Sequence, residues 1–114
     1  MHAKERHDPG EELRVSTLTR PVLEKMTFRK TNSHVGRHIS VSPRNSTNKY
    51  LAYGRIILNA KTPHVSFASG DRETGMVCLS GSAELRISSE KFHLGQCDAI
   101  YIPRDSQVEV RAQG

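Results

Sequence analysis

GDRETGMVCLSGSAELRISSEKFHLGQCDAIYIPRDSQVEV, residues 70–110, decides the fold. Polar and apolar residues alternate from Ala83 to Ile87 and again from Gln107 to Arg111, so each segment reads as a strand with one wet and one dry face. Ser88 to Lys91 reads as a hairpin turn, Phe92 to Leu94 as a short strand, and Gly95 as the next turn. Asp98 to Ile102 is a further strand, stopped by Pro103. Thr74 to Leu79 is an apolar run with Met76 and Cys78 on one side and Val77 and Leu79 on the other. Ser80, Gly81 and Ser82 turn it. Short strands with a turn every 8–12 residues or so predict an all-β sandwich or barrel.

Towards the N-terminus, Tyr50 to Leu58 is rich in β-formers and predicts a strand. Asn59 to Pro63 is a turn, and His64 to Phe67 a short strand that ends near Gly70. Thr31 to Lys49 is polar, holds Pro43 and several Ser, Thr and Asn, and predicts a long loop. Such loops usually carry function or cover a neighbour. Residues 13–30 mix short apolar pieces with Pro21, which suits a strand and a short helical turn in an extended N-terminal arm. Residues 1–12 are rich in charge, include Pro9 and Gly10, and are expected to be flexible. Residues 13–114 then form one domain, with core strands over about 50–111. There is no internal repeat and no low-complexity tract.

With 35% hydrophobic and 5% aromatic residues and no Trp, a chain of 114 residues builds only a thin core, so another domain or subunit is expected to cover part of it. No apolar run approaches the roughly 20 residues that span a bilayer, and the N-terminus lacks an apolar segment. The expectation is a soluble, cytoplasmic protein with no membrane role, in which Cys78 and Cys97 are thiols rather than a disulfide. The net charge of +5 is uneven: residues 1–61 hold twelve Lys and Arg against five Asp and Glu, and the rest holds five against seven. Apart from the adjacent Arg29 and Lys30, the basic residues are scattered singly, with few aromatics among them. That pattern favours a solvated face, or a surface for anionic ligands or partner subunits, over nucleic-acid binding.

The order of these pieces resembles a known group. An apolar strand ending at Ser80 and Gly81, an alternating strand, a turn, Leu94 and Gly95, then Asp98-Ala99-Ile100-Tyr101-Ile102-Pro103 is similar to the two motifs of cupins. Arg72 to Gly75, Cys78 to Gly81 and Gly95 to Tyr101 resemble the 5-deoxyglucuronate isomerase and 5-dehydro-4-deoxy-D-glucuronate isomerase family, as do Val35 to Asn45 and Tyr53 to Ile56. The resemblance covers residues 34–111. It implies a cupin-like jelly-roll barrel that matches the N-terminal cupin alone and stops before the closing strands, leaving it incomplete at its C-terminal edge. Members of that family are two-cupin aldose–ketose isomerases (intramolecular oxidoreductases) of inositol or uronate breakdown, with zinc held by three His and one Glu in the second cupin. The first cupin serves packing and assembly.

The four positions where a metal cupin places its ligands fall here on Ala68, Gly70, Thr74 and Val108, none of which suits zinc. A shift of one residue brings in Glu73, which lies on the opposite side of the strand from Thr74. No metal ligand, cofactor or catalytic residue is therefore expected in this chain, and it is expected to be inactive alone. Its partner would be a second cupin domain or further copies of itself. The alternative is a small metal-free cupin that binds a sugar acid. For that, Arg37, Arg44 and Arg55 are candidates to clamp a carboxylate, with inter-subunit contact as the competing role. Glu73 is a candidate to move a proton, with an ion pair to Arg72 or Arg104 as the competing role. His34 and His38 are four apart, but Gly36 and the nearby Ser and Pro argue against a helical ligand pair. His64 and His93 read as surface groups, Cys78 as a buried thiol. Cys97 stands where the resemblance places Gly. No nucleophile triad and no phosphate-binding glycine loop is present.

Overall fold

The computed structural model describes residues 26–113, and every regular element among them is a strand. These are β1 (Gly36–Val41), β2 (Tyr53–Ile57), β3 (His64–Ala68), β4 (Thr74–Val77), β5 (Ser82–Ile87), β6 (Glu90–Leu94), β7 (Ala99–Ile102) and β8 (Gln107–Gln113). All pairings are antiparallel. The expectations for residues 1–12, and for the arm as far as residue 25, lie outside the described residues.

The pairings are nested. β5 pairs with β6, β4 with β7, and β3 with β8, as in one long hairpin. The hairpin then rolls over so that β8 also pairs with β5, giving a four-stranded sheet in the order β3-β8-β5-β6. β4 and β7 form a separate ribbon, as do β1 and β2. Among the described residues the sheets do not close into a barrel.

Register explains the two faces of the large sheet. Leu85 sits opposite Val110 and Phe92, and Phe67 opposite Val108, so one face is apolar except where Glu90 sits opposite Ile87 at its end. The other carries Glu84, Arg86, Lys91, His93, Glu109 and Arg111. Lys91 and Glu84 pair at 3.4 Å there, and Arg111 and Glu109 at 3.2 Å. Both pairs are solvated and contribute little to stability.

The core lies between the apolar face and the β4–β7 ribbon. Leu85 and Ile102 are fully buried, and Leu94, Val108 and Val110 nearly so. Met76, Cys78 and Ile100 pack on them from the ribbon, and Ile56 and Leu58 from the end of β2 and just beyond it. Each such side chain contributes about 1.5–3 kcal/mol when fully buried. The ribbon differs from the large sheet in being apolar on both faces. Its outer side carries Val77 and Tyr101, both more than half exposed, together with Ala99, and Leu79 just past β4 is likewise exposed.

Two buried serines fasten the turns at one end. Ser69 Oγ donates to the Pro103 carbonyl at 2.8 Å and accepts from the Ser106 N–H at 2.9 Å. Ser106 Oγ donates to the same carbonyl at 2.9 Å. The β3–β4 and β7–β8 connections are thereby locked together.

One expectation fails. The predicted loop over residues 31–49 contains β1. Its apolar residues do not mark a buried face: Val35, just before the strand, and Ile39 are exposed, while His38 and Ser40 are half-buried. The strand exists because β2 lies beside it. Gly54 makes the approach feasible, since a Cβ there would stand 2.5 Å from the His38 carbonyl oxygen. Ser40 sits at a register shift between Ile39 and Val41, and its buried hydroxyl finds no partner among the described residues. Elsewhere boundaries move: β2 begins at Tyr53 rather than Tyr50, β6 begins at Glu90, and β8 runs on to Gln113.

Candidate functional site: the cationic face of the β1–β2 ribbon

Strand geometry assembles the site. His38 is the register partner of Arg55, so the two share a face. Tyr53 precedes Arg55 by two residues and points the same way. Arg55 Nε donates to the Tyr53 hydroxyl at 3.2 Å, which fixes the plane of the half-buried guanidinium and leaves its terminal nitrogens as donors. The His34 ring stacks on His38 with centroids 3.8 Å apart and planes 12° from parallel. Ser33 Oγ donates to the Lys30 carbonyl at 2.8 Å and lies 3.3 Å from His34 Nδ1. The arrangement is a cluster of nitrogen donors suited to a planar anion such as a carboxylate. It contains no nucleophile held by a base.

The other candidates lie apart. Arg37 falls on the opposite face of the ribbon, with its guanidinium carbon 4.1 Å from the centroid of Phe67. That cation–π contact fastens β1 to β3. Arg44 lines a recess of about 480 Å³ with Thr27, Phe28, Asn45, Ser46 and Thr47. Asn45 shapes the recess by accepting from the Ser42 N–H and donating to the Ser40 carbonyl, both at 2.8 Å. Neither Arg37 nor Arg55 reaches this recess, so the structure does not bring the three arginines together. Glu73 is exposed in the turn before β4 and makes no ion pair among the described residues, to Arg72 and Arg104 included.

Ala68 ends β3, Gly70 occupies a turn with φ of 63°, Thr74 opens β4 and Val108 is buried in β8. Among the described residues no three His, Cys, Asp or Glu gather closely enough to hold a metal ion. His64 is exposed at the start of β3. His93 is exposed on the polar face, its Nδ1 3.1 Å from Gln113 Oε1. Cys78 is half-buried against the core and Cys97 is exposed; both are free thiols. Among the described residues no helix is long and apolar enough to cross a membrane.

The His34–His38 stack and the Tyr53 contact are not visible by sequence reasoning. The Tyr53–Arg55 spacing is a usable signal once β2 is read as a strand. His38 becomes placeable only when β1 is known to pair with it.

No protein-family model, curated protein or solved structure matches this chain.

Proposed function

We propose that this chain is a non-metal jelly-roll domain of a uronate isomerase-like protein, serving assembly rather than turnover. The observation that carries the reading is the nested pairing of β3 with β8, β4 with β7 and β5 with β6, closed over by β8 on β5. That nesting is the pairing expected of a rolled jelly roll. On this reading the unpaired edge of β4 receives a further strand, and the doubly apolar β4–β7 ribbon is made to be packed against. The order of motifs through residues 34–111 supplies the family. The test is the coding sequence beyond Gly114. A continuing frame with a second cupin that carries paired His and a Glu supports the reading. Absence of such a segment, or metal-dependent uronate isomerisation by the purified chain, sinks it.

A second reading is favoured by the Arg55–Tyr53–His38 cluster. In it the chain is a small metal-free cupin-like protein whose β1–β2 face binds the carboxylate of a sugar acid.

A further inference from the structure

We infer that the face of the β1–β2 ribbon turned away from the core is a binding surface for single-stranded nucleic acid. The inference goes beyond both readings above and needs neither.

Charge is segregated along the chain. Residues 26–70 hold seven Lys and Arg and not one Asp or Glu. Residues 1–25 hold five of each sign, so they carry no net charge to offset that excess. Among the described residues the ion pairs, Lys91–Glu84 and Arg111–Glu109, both lie on the four-stranded sheet. No described carboxylate pairs with a cation of the ribbon.

Folding gathers cations that stand apart in the sequence. Thr27 and Phe28 line the same recess as Arg44 to Thr47, beyond the end of β1. His34 stacks on His38, in the middle of the strand. The segment between these two anchor points therefore passes alongside β1 and carries Arg29 and Lys30 with it. The Lys30 carbonyl accepts from the Ser33 N–H at 3.2 Å, which turns the chain into His34. Arg55 stands opposite His38 in register, and Lys49 follows Arg44 in the connection to β2. The cations form one strip from the middle of the ribbon to that connection, and all except Arg55 and His38 are exposed.

Planar groups accompany them. The Arg55 guanidinium is held by the Tyr53 hydroxyl beside the imidazole pair. The Tyr53 ring is 46% exposed, and Tyr50, next to Lys49, is 88% exposed. A single strand presents phosphates to such cations and the faces of unpaired bases to such rings, whatever its sequence. A duplex fits less well. The major groove admits a two-stranded ribbon, but the other face of this one is packed on the core through Ile56 and on Phe67 through Arg37. A lipid surface rewards an apolar face set beneath the charges, whereas His38, Tyr53 and Arg55 hold the centre of this one.

The test uses the full 114-residue chain and a fluorescein-labelled oligothymidylate of about 12 nucleotides, within the roughly 4–16 that one small β domain covers. Fluorescence anisotropy at about 50 mM salt is expected to give a Kd of about 1–100 μM. Log Kd is expected to rise with log salt at a slope of about 2–3, the value for roughly four phosphates neutralised on a single strand. Arg55→Ala is expected to weaken binding and lower that slope by about 0.7. Arg86→Ala removes the same charge from the polar face of the large sheet and is expected to bind as the wild type does. Tyr53→Leu is expected to cost about fivefold or more in affinity through lost stacking, and Tyr53→Phe, which keeps the ring, to retain most of it. No anisotropy change at about 100 μM protein, equal losses from Arg55→Ala and Arg86→Ala, equal losses from Tyr53→Leu and Tyr53→Phe, or binding to phosphatidylserine vesicles without binding to the oligonucleotide overturns the inference. Glucuronate is absent throughout, so this surface and the sugar-acid reading fail separately.

Discussion

Cys97 and Asp98 together face the single residue Cys78: the Cys97 N–H donates to the Cys78 carbonyl while the Cys78 N–H donates to the Asp98 carbonyl. This two-against-one pairing is a β-bulge whose first residue adopts φ of 69°, the left-handed region that glycine fills without strain. The turn feeding it closes from the Asp98 N–H to the Gly95 carbonyl at 3.0 Å, and Asp98 Oδ2 accepts from the Gly95 N–H at 2.8 Å. A side chain in that region costs about 1–2 kcal/mol. Glycine returns part of the gain through the entropy of the unfolded chain.

Cys97→Gly is therefore expected to stabilise the protein by about 0.5–1 kcal/mol, a rise of a few degrees in melting temperature for a domain of this size. Thermal unfolding followed by circular dichroism reads it directly. A melting temperature below that of the wild type would show that the bulge does not strain Cys97.

Ser69 offers the opposite case. Its hydroxyl both donates to the Pro103 carbonyl and accepts from the N–H of the buried Ser106. Ser69→Ala is expected to cost about 1–3 kcal/mol, the penalty of leaving a buried N–H unsatisfied. Chemical denaturation should show a lower midpoint with an unchanged slope. Ser82→Ala makes the comparison, because the Ser82 hydroxyl reaches Gln113 only at 3.4 Å from an exposed position, and its loss is expected to be near neutral.

These two positions also mark what can be read from the chain before folding it. The alternation from Ala83 to Ile87 and from Gln107 to Arg111 predicts strands whose inner and outer residues are those observed, because one face of that sheet is dry and the other wet. A ribbon that is apolar on both faces, as β4–β7 is, yields strands from composition but no preferred side. β1 is invisible, since Ile39 points to solvent and the strand's existence depends on a partner distant in the chain. Site prediction inherits that failure. Arg37 and Arg55 look equivalent in sequence, yet pairing puts one on Phe67 and the other beside His38.

Gly54 tests whether the ribbon is as tightly joined as its geometry states. A methyl group there meets the His38 carbonyl oxygen at 2.5 Å and the Ile39 Cα at 3.0 Å, both backbone atoms that move only with the strand. Gly54→Ala is expected to separate β1 from β2 while leaving the four-stranded sheet intact. Amide hydrogen exchange should then quicken at Gly36–Val41 with little change at Val108 and Val110. Uniformly faster exchange would show that the ribbon and the large sheet unfold as one unit.

Arg55 decides between the two functional readings. If the β1–β2 face holds a sugar acid, the fork left open by the Tyr53 contact makes the main contact with its carboxylate. Arg55→Ala is then expected to weaken glucuronate binding by tenfold or more, the value of a charge-assisted pair of about 1.5–3 kcal/mol. Tyr53→Phe removes only the group that orients the guanidinium, so a smaller loss is expected. Arg37→Ala is expected to lower stability through the lost Phe67 contact and leave affinity unchanged, because it occupies the other face. Titration of amide chemical shifts with glucuronate measures all three, and glucose serves as the uncharged control. Equal binding by wild type and Arg55→Ala, or no shift at millimolar glucuronate, removes the sugar-acid reading of this face.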